Sequence, residues 1–184
     1  MNIQFEIIPD DRIECCRELC NELMSYQKSK AVVKPELFDG MNFETRLFSS
    51  VTKATHNHTV VAKADDNIVG YVYTNVSPKE VYSNEFATFF DLNSVQASHV
   101  GCLSQFYLRK QFRQYGIGTK LFRMSMDWLG QFENVEDYFI FVSNGNDHAL
   151  EFYKRKGFTY SHDLLDGFIT VLRSSRHAVA GELL

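Results

Sequence analysis

Two glycines, Gly116 and Gly118, stand between an apolar run and an amphipathic one, and this junction limits the fold more than any other part of the chain. The run before them, Val100 to Leu108, reads as a strand. The run after them sets Ile117, Leu121, Met124, Ser125, Trp128 and Leu129 on one helical face. A strand that passes into a helix through glycines leaves the first helical N–H groups without partners, and such groups favour an anion. Glycine also permits positive φ and close backbone approach. Arg113 and Lys120 add positive charge. The junction therefore predicts a phosphate or pyrophosphate site, with a plain tight turn as the alternative that spacing alone leaves open. A Walker loop is excluded, because Arg113 fills its first glycine position and the end reads Gly118-Thr119-Lys120. A dinucleotide fingerprint is excluded as well, because Leu121 stands at its third glycine.

The rest of the chain supplies a sheet and its helices. Ile3, Phe5 and Ile7 alternate with polar residues as in a strand, which Pro9 ends. Asp11-Arg12-Ile13-Glu14 reads as a capping box. It would open a helix with Ile13, Cys16, Leu19, Cys20, Leu23 and Met24 on its buried face. A less regular helix is expected from Glu36 to Lys53. Thr59 to Ala62 and Ile68 to Tyr73 form a hairpin across the turn signal Asp65-Asp66-Asn67. Residues 76–98 have no clear period, and a connection this long is often a lid or binding segment. Its Phe86, Phe89 and Phe90 are equally explained by core burial. A buried strand from Tyr138 to Val142 leads to a helix from Asp147 to Lys156, stopped by Gly157. Phe158 to Ser161 and Phe168 to Leu172 close a mixed α/β domain with one central sheet and helices on its faces.

Composition narrows the function. A chain of 184 residues suits one domain. A net charge of -4 and a pI near 5.9 speak against a general nucleic-acid binder. No apolar run reaches the roughly 18 residues of a membrane helix. The first residues lack the basic and apolar regions of a secretory signal. Cys15, Cys16 and Cys20 match no zinc spacing, and His56 and His58 lack a third ligand. The expectation is a reduced, cytoplasmic protein with no metal and with neither nucleic acid nor membrane as partner.

Two segments carry a family resemblance. Arg113-Gln114-Tyr115-Gly116-Ile117-Gly118 resembles the Arg/Gln-x-x-Gly-x-Gly/Ala motif of the GNAT superfamily of N-acetyltransferases. Asn146 to Phe158 resembles the second signature, Asn-x-x-Ala-x-x-Phe-Tyr-x-x-x-Gly-Phe, in the right order and about 30 residues downstream. The resemblance implies a GNAT-type mixed sheet of about six to seven strands with helices on both faces. That domain would span residues 1–172 and leave 173–184 as a tail. It implies an enzyme that moves the acetyl group of acetyl-CoA to a primary amine, on a small molecule, by direct attack and without a metal. A protein or peptide acetyltransferase is one alternative, and a non-catalytic acyl-CoA sensor is another. Exposed strand edges in this fold allow a homodimer.

The same resemblance assigns roles. The pyrophosphate would lie on the segment Arg113, Gln114, Tyr115, Gly116, Ile117, Gly118 and Thr119, held mainly by backbone N–H groups. The pantetheine arm would run along Phe106, Tyr107 and Leu108. Asn146 would reach that arm, Phe152 would pack beside it, and the Tyr153 hydroxyl would serve as general acid near the sulfur. Many relatives carry a carboxylate near the positions of Ser104 and Gln105, and this chain has none there. That absence weighs against a polyamine acceptor. It leaves Glu85, Asp91, His99 or a water chain as the general base. Tyr26, Phe38, Phe86, Phe89 and Phe90 are expected as walls of an acceptor pocket.

Overall fold

The computed structural model describes residues 2–182. Seven strands form one sheet: β1 (Ile3–Ile8), β2 (His56–Ala64), β3 (Asn67–Pro78), β4 (His99–Leu108), β5 (Asp137–Ser143), β6 (Thr159–Leu164) and β7 (Ile169–Ser175). Their order is β1-β2-β3-β4-β5-β7-β6, and β4–β5 is the parallel pair. The helices are α1 (Arg17–Lys30), α2 (Ser49–Lys53), α3 (Ile117–Leu129), α4 (Asp147–Lys154) and α5 (Arg176–Glu182).

Alternation along the central strands builds a core on each face. Val61, Tyr71 and Tyr73 turn toward α1 and join Cys16, Leu19, Cys20 and Leu47. Val60, Ala62 and Val72 turn the other way and join Ile117, Leu121, Phe122 and Leu129 of α3. A third cluster unites Phe89, Phe90 and Val95 with Phe139, Phe168 and Val171 over the far half of the sheet.

Several boundaries differ from expectation, each for a local reason. The chain around Asp11 is a 3-10 helix, Asp10–Cys16, with Pro9 at its start and no side-chain cap. Glu14 pairs with Arg17 and does not close a capping box. The expected helix from Glu36 to Lys53 is three pieces: a 3-10 turn at Pro35–Phe38, a π turn at Phe43–Phe48, and α2. The break falls at Asn42, where a reciprocal cap with Thr45 restarts the helix. β3 runs past Tyr73 to Pro78 because β4 continues to pair with it out to His99. After Leu172, where a tail was expected, β7 continues to Ser175 and α5 follows with Val179 buried. Pairing with Tyr138 and Asp137 of β5 extends the strand that far.

Candidate active site

The site begins where β4 and β5 part. They pair only at Gly101 with Tyr138 and Cys102 with Phe139. Just beyond, Tyr73 of β3 faces Gln105 while Thr74 faces Leu103, so Ser104 is an extra residue that bulges β4. A bulge bends its strand and sharpens the local twist. From Leu103 onward the β5-facing edge of β4 has no strand partner, and a cleft opens between the two strands.

The cleft holds two cavities. The first measures about 400 Å³ and is lined by Phe106, Tyr107, Leu108, Arg113, Gln114, Gly116, Gly118, Thr119, Asn146, His148, Phe152 and Tyr153, with Leu23 and Tyr26 of α1. Its floor is the glycine junction. Gln114 and Gly116 both have positive φ, at 72° and 75°, and turn the chain sharply into α3. Lys120 donates the first helical hydrogen bond, to the Gly116 carbonyl. Among the described residues, the N–H groups from Gln114 to Thr119 have no hydrogen-bond partner. Six consecutive free donors at the positive end of a helix suit an anion with several oxygens. Arg113 is braced beside them: its Nε donates to the Leu108 carbonyl at 2.9 Å, and its guanidinium lies over the Tyr26 ring at 5.2 Å.

α4 forms the opposite wall. Asn146 occupies its N-cap position, yet its side chain makes no cap bond and faces both cavities. Phe152 meets Phe106 edge-on at 5.9 Å. Tyr153 is buried and lines both cavities. Burial, helped by the neighbouring Cys102 thiol, pushes its phenol well above the ordinary tyrosine range.

The second cavity, of about 240 Å³, lies on the far side of the junction formed by Leu23, Phe106, Asn146, Ala149 and Tyr153. Ser104 and Gln105 of β4, Asn75 and Ser77 of β3, and Arg46 of the π turn line it. Val81, Tyr82, Asn84 and Phe89 of the 79–98 excursion add to its wall. Gln105 is fixed from below, its Oε1 accepting from the Tyr71 hydroxyl at 2.5 Å and from the Cys20 thiol at 3.4 Å.

The structure thus gathers most of the expected residues in one place. Phe106, Tyr107, Leu108, Arg113, Gln114, Gly116, Gly118, Thr119, Asn146, Phe152 and Tyr153 share the first cavity. Tyr115 and Ile117 contribute backbone alone: the Tyr115 ring is exposed, and Ile117 is buried in the core. Of the five expected acceptor walls, Phe89 lines the second cavity and Tyr26 the first. Phe38 packs on Phe168, Phe90 stacks on Phe139, and Phe86 lies half-exposed outside both. None of the three candidate bases lines either cavity. Asp91 accepts from the Asn93 N–H, His99 pairs with Ser98 Oγ, and Glu85 is exposed. Arg46 was missed, because a helical period gives no sign that one position of a helix face opens onto a cavity. His56 and His58 pack on Phe132 and Trp128. No group of three or more His, Cys, Asp or Glu placed to hold a metal occurs among the described residues.

Comparison with known proteins bears on the fold and the family. The chain is 29% identical over 98 residues to an N-alpha-acetyltransferase of Sulfurisphaera tokodaii, a match of 53% of this chain and 54% of that protein. It thus spans about half the length of this curated relative. Its fold is similar to that of PaiA N-acetyltransferase from Thermoplasma acidophilum in complex with coenzyme A. That likeness has a TM-score of 0.66 at 15% identity, over 95% of this chain and 99% of the other. It is also similar in fold to Arabidopsis thaliana NAA60 in complex with a bisubstrate analogue, with a TM-score of 0.64 at 12% identity over 95% and 98%. The family model for acetyltransferases of the GNAT family matches residues 18–158, from α1 through the glycine junction to the end of the α4 turn, and the chain belongs to that family.

Proposed function

We propose that this chain is an acetyl-CoA-dependent N-acetyltransferase acting on a primary amine of a small molecule. The observation that carries the reading is the meeting of two cavities at Phe106, Asn146 and Tyr153. One cavity ends on free backbone donors suited to a pyrophosphate, and the other adjoins it across the junction. Acetyl-CoA, when bound, supplies a thioester acetyl group and a thiol leaving group.

The protein's part is to bind, orient and handle protons. The N–H groups from Gln114 to Thr119, with Arg113, would hold the pyrophosphate at the positive end of α3. The open edge of β4 at Phe106 and Leu108 offers backbone groups to an extended arm in place of a strand. A free N–H on that edge of β4 would stabilise negative charge on a thioester carbonyl bound beside it. Asn146 gives its amide to the arm, since helix capping does not engage it. Phe152 and Phe106 enclose the arm with apolar surface. Tyr153 keeps its proton across the working pH range, because burial raises its pKa. Its hydroxyl therefore stands ready to hydrogen-bond the departing sulfur.

The amine receives no such help from a carboxylate. No Asp, Glu or His lines the second cavity. An alkyl ammonium, with a pKa near 10.4 like Lys, must reach the junction already neutral or lose its proton through water. The small volume of the second cavity supports a small acceptor over a protein chain.

The test is Tyr153→Phe. Turnover should fall by about 100-fold or more, with a much smaller change in acetyl-CoA affinity. Unchanged turnover would remove the acid role from Tyr153. A protein that binds acetyl-CoA but releases no thiol with any amine would favour the sensor reading.

A further inference from the structure

The acceptor cavity contains a charge without a counter-charge. Arg46 sits in the π turn Phe43–Phe48, an uncommon helix geometry that recurs at functional sites. Its side chain lines the cavity, and its Nε is buried with no hydrogen-bond partner. No Asp or Glu lines the cavity, and no carboxylate pairs with Arg46 among the described residues. The adjacent carboxylate, Glu44, is turned outward and engaged by Arg17. The acidic groups that act on Arg46 are the Cys20 and Cys102 thiols. Burial raises the pKa of both, that of Cys102 to about 12, so neither supplies a negative charge near neutrality. Burial also makes the guanidinium harder to protonate, yet Arg stays charged in proteins. The other cation lining the cavity, Lys53, is exposed.

A half-buried cation left unpaired is costly, and apart from the exposed Lys53 the remaining lining is neutral: Asn75, Ser77, Ser104 and Gln105 among others. An acceptor that brings its own oxyanion would supply the missing partner. A guanidinium presents a planar fork of donors that matches a carboxylate in two-point fashion. One guanidinium balances one negative charge, which suits a carboxylate better than a phosphate ester carrying about −1.5 to −2. A polyamine meets the opposite situation, since each further ammonium would enter a chamber that already holds a positive charge. The volume of about 240 Å³ also lies below the roughly 300–1,000 Å³ of drug-sized ligand sites.

We infer that the acceptor is a small amine that also carries a carboxylate, held in the second cavity by Arg46. This rests on the acetyl-transfer reading above and goes further by naming the acceptor's chemical class.

The experiment uses the full chain and matched acceptors in a thiol-release assay. Free amino acids, the corresponding amino-acid amides, and spermidine are compared at fixed acetyl-CoA. The expected result is a kcat/KM, counted per neutral amine, for the best amino acid about 10- to 100-fold above that of its amide, as for a charge-assisted hydrogen bond. Arg46→Met should abolish that preference and Arg46→Lys should restore part of it, with acetyl-CoA affinity unchanged in both. Because the amino acid and its amide are compared on the unaltered protein, the inference stays testable even if neither variant folds. Equal use of the amides, or better use of spermidine, overturns this inference and leaves acetyl transfer standing. Acetyl-CoA binding without thiol release in any of the three groups overturns the acetyl-transfer reading and this inference with it.

Discussion

Replacing Gly145 by Ala tests whether the loop after β5 is a rigid support for the site. Gly145 has a φ of 78°, a conformation that costs an L-residue about 1–2 kcal/mol. A Cβ there would lie 1.9 Å from the Lys30 carbonyl oxygen and 2.7 Å from its carbon. Both are backbone atoms at the end of α1, so the helix or the loop must move. Forced overpacking of this kind adds about 1–3 kcal/mol. The neighbouring residue makes such movement hard. Asn144 accepts from the N–H groups of Val32 and Val33 at 2.7 and 2.8 Å and donates to the carbonyls of Val33 and Phe168. A loss of about 3 kcal/mol should lower Tm by about 6–12 °C in a chain of this size. Gly116→Ala is the control: its φ is 75°, but no heavy atom lies within 4 Å of the added carbon. It should show the conformational part alone, about 1–2 kcal/mol. Thermal unfolding followed by circular dichroism reads both. Gly145→Ala should also weaken acetyl-CoA binding below its Tm, because Asn146 follows directly and α1 brings Leu23 and Tyr26 to the cavity. Equal Tm losses in the two variants would refute the contact argument.

Three further outcomes follow from the same geometry. His58 is buried, stacks on Trp128 at 5.0 Å, and has an unpartnered Nε2; burial holds its pKa below 6.5. The unfolded chain therefore takes up this proton first as pH falls. The stability this histidine contributes is complete above pH 6.5 and drains away as pH falls toward its folded pKa, and His58→Leu should flatten that part of a Tm-against-pH curve. With no carboxylate or histidine in the acceptor cavity, kcat/KM for an alkyl amine should rise by about tenfold per pH unit up to the amine's own pKa; a plateau with an inflection near pH 6–7 would reveal a base that the geometry lacks. Arg113→Ala removes the bond to the Leu108 carbonyl and the charge over Tyr26, and should weaken acetyl-CoA binding by about tenfold, measured by calorimetry, while leaving kcat near its original value.

Local chemistry in the sequence was informative wherever a residue's role follows from its neighbours in the chain. The glycine junction was legible because Gly116 and Gly118 must serve a turn between a strand and a helix. The buried face that runs from Ile13 of the 3-10 turn to Met24 of α1 was legible because burial and helical period coincide there. The parting of β4 and β5 was not, since it depends on which backbone groups lack a partner, and side-chain pattern carries no record of that. The extra residue Ser104, which bends β4 at the junction, looks like any other strand serine. Phe38, Phe86, Phe89 and Phe90 are alike in sequence, yet one reaches the acceptor cavity and two complete the core. Arg46 reads as a solvent-facing helical residue until the restart at Asn42 and the π turn set it against the cleft. The helix α5 was hidden for a similar reason: Arg176 to Glu182 holds few apolar residues, and its contacts, with Val179 buried and Arg176 donating to the Gly130 carbonyl, are made far from it in the chain.

The central claim is that the two cavities serve one reaction, donor on the glycine side and amine on the other. The most direct measurement is continuous thiol release from acetyl-CoA by the purified protein with and without amine, alongside mass analysis of the amine. The account predicts release that requires the amine, saturates with it, and yields one N-acetylated product per thiol. Saturable acetyl-CoA binding with release that ignores every amine offered would contradict it.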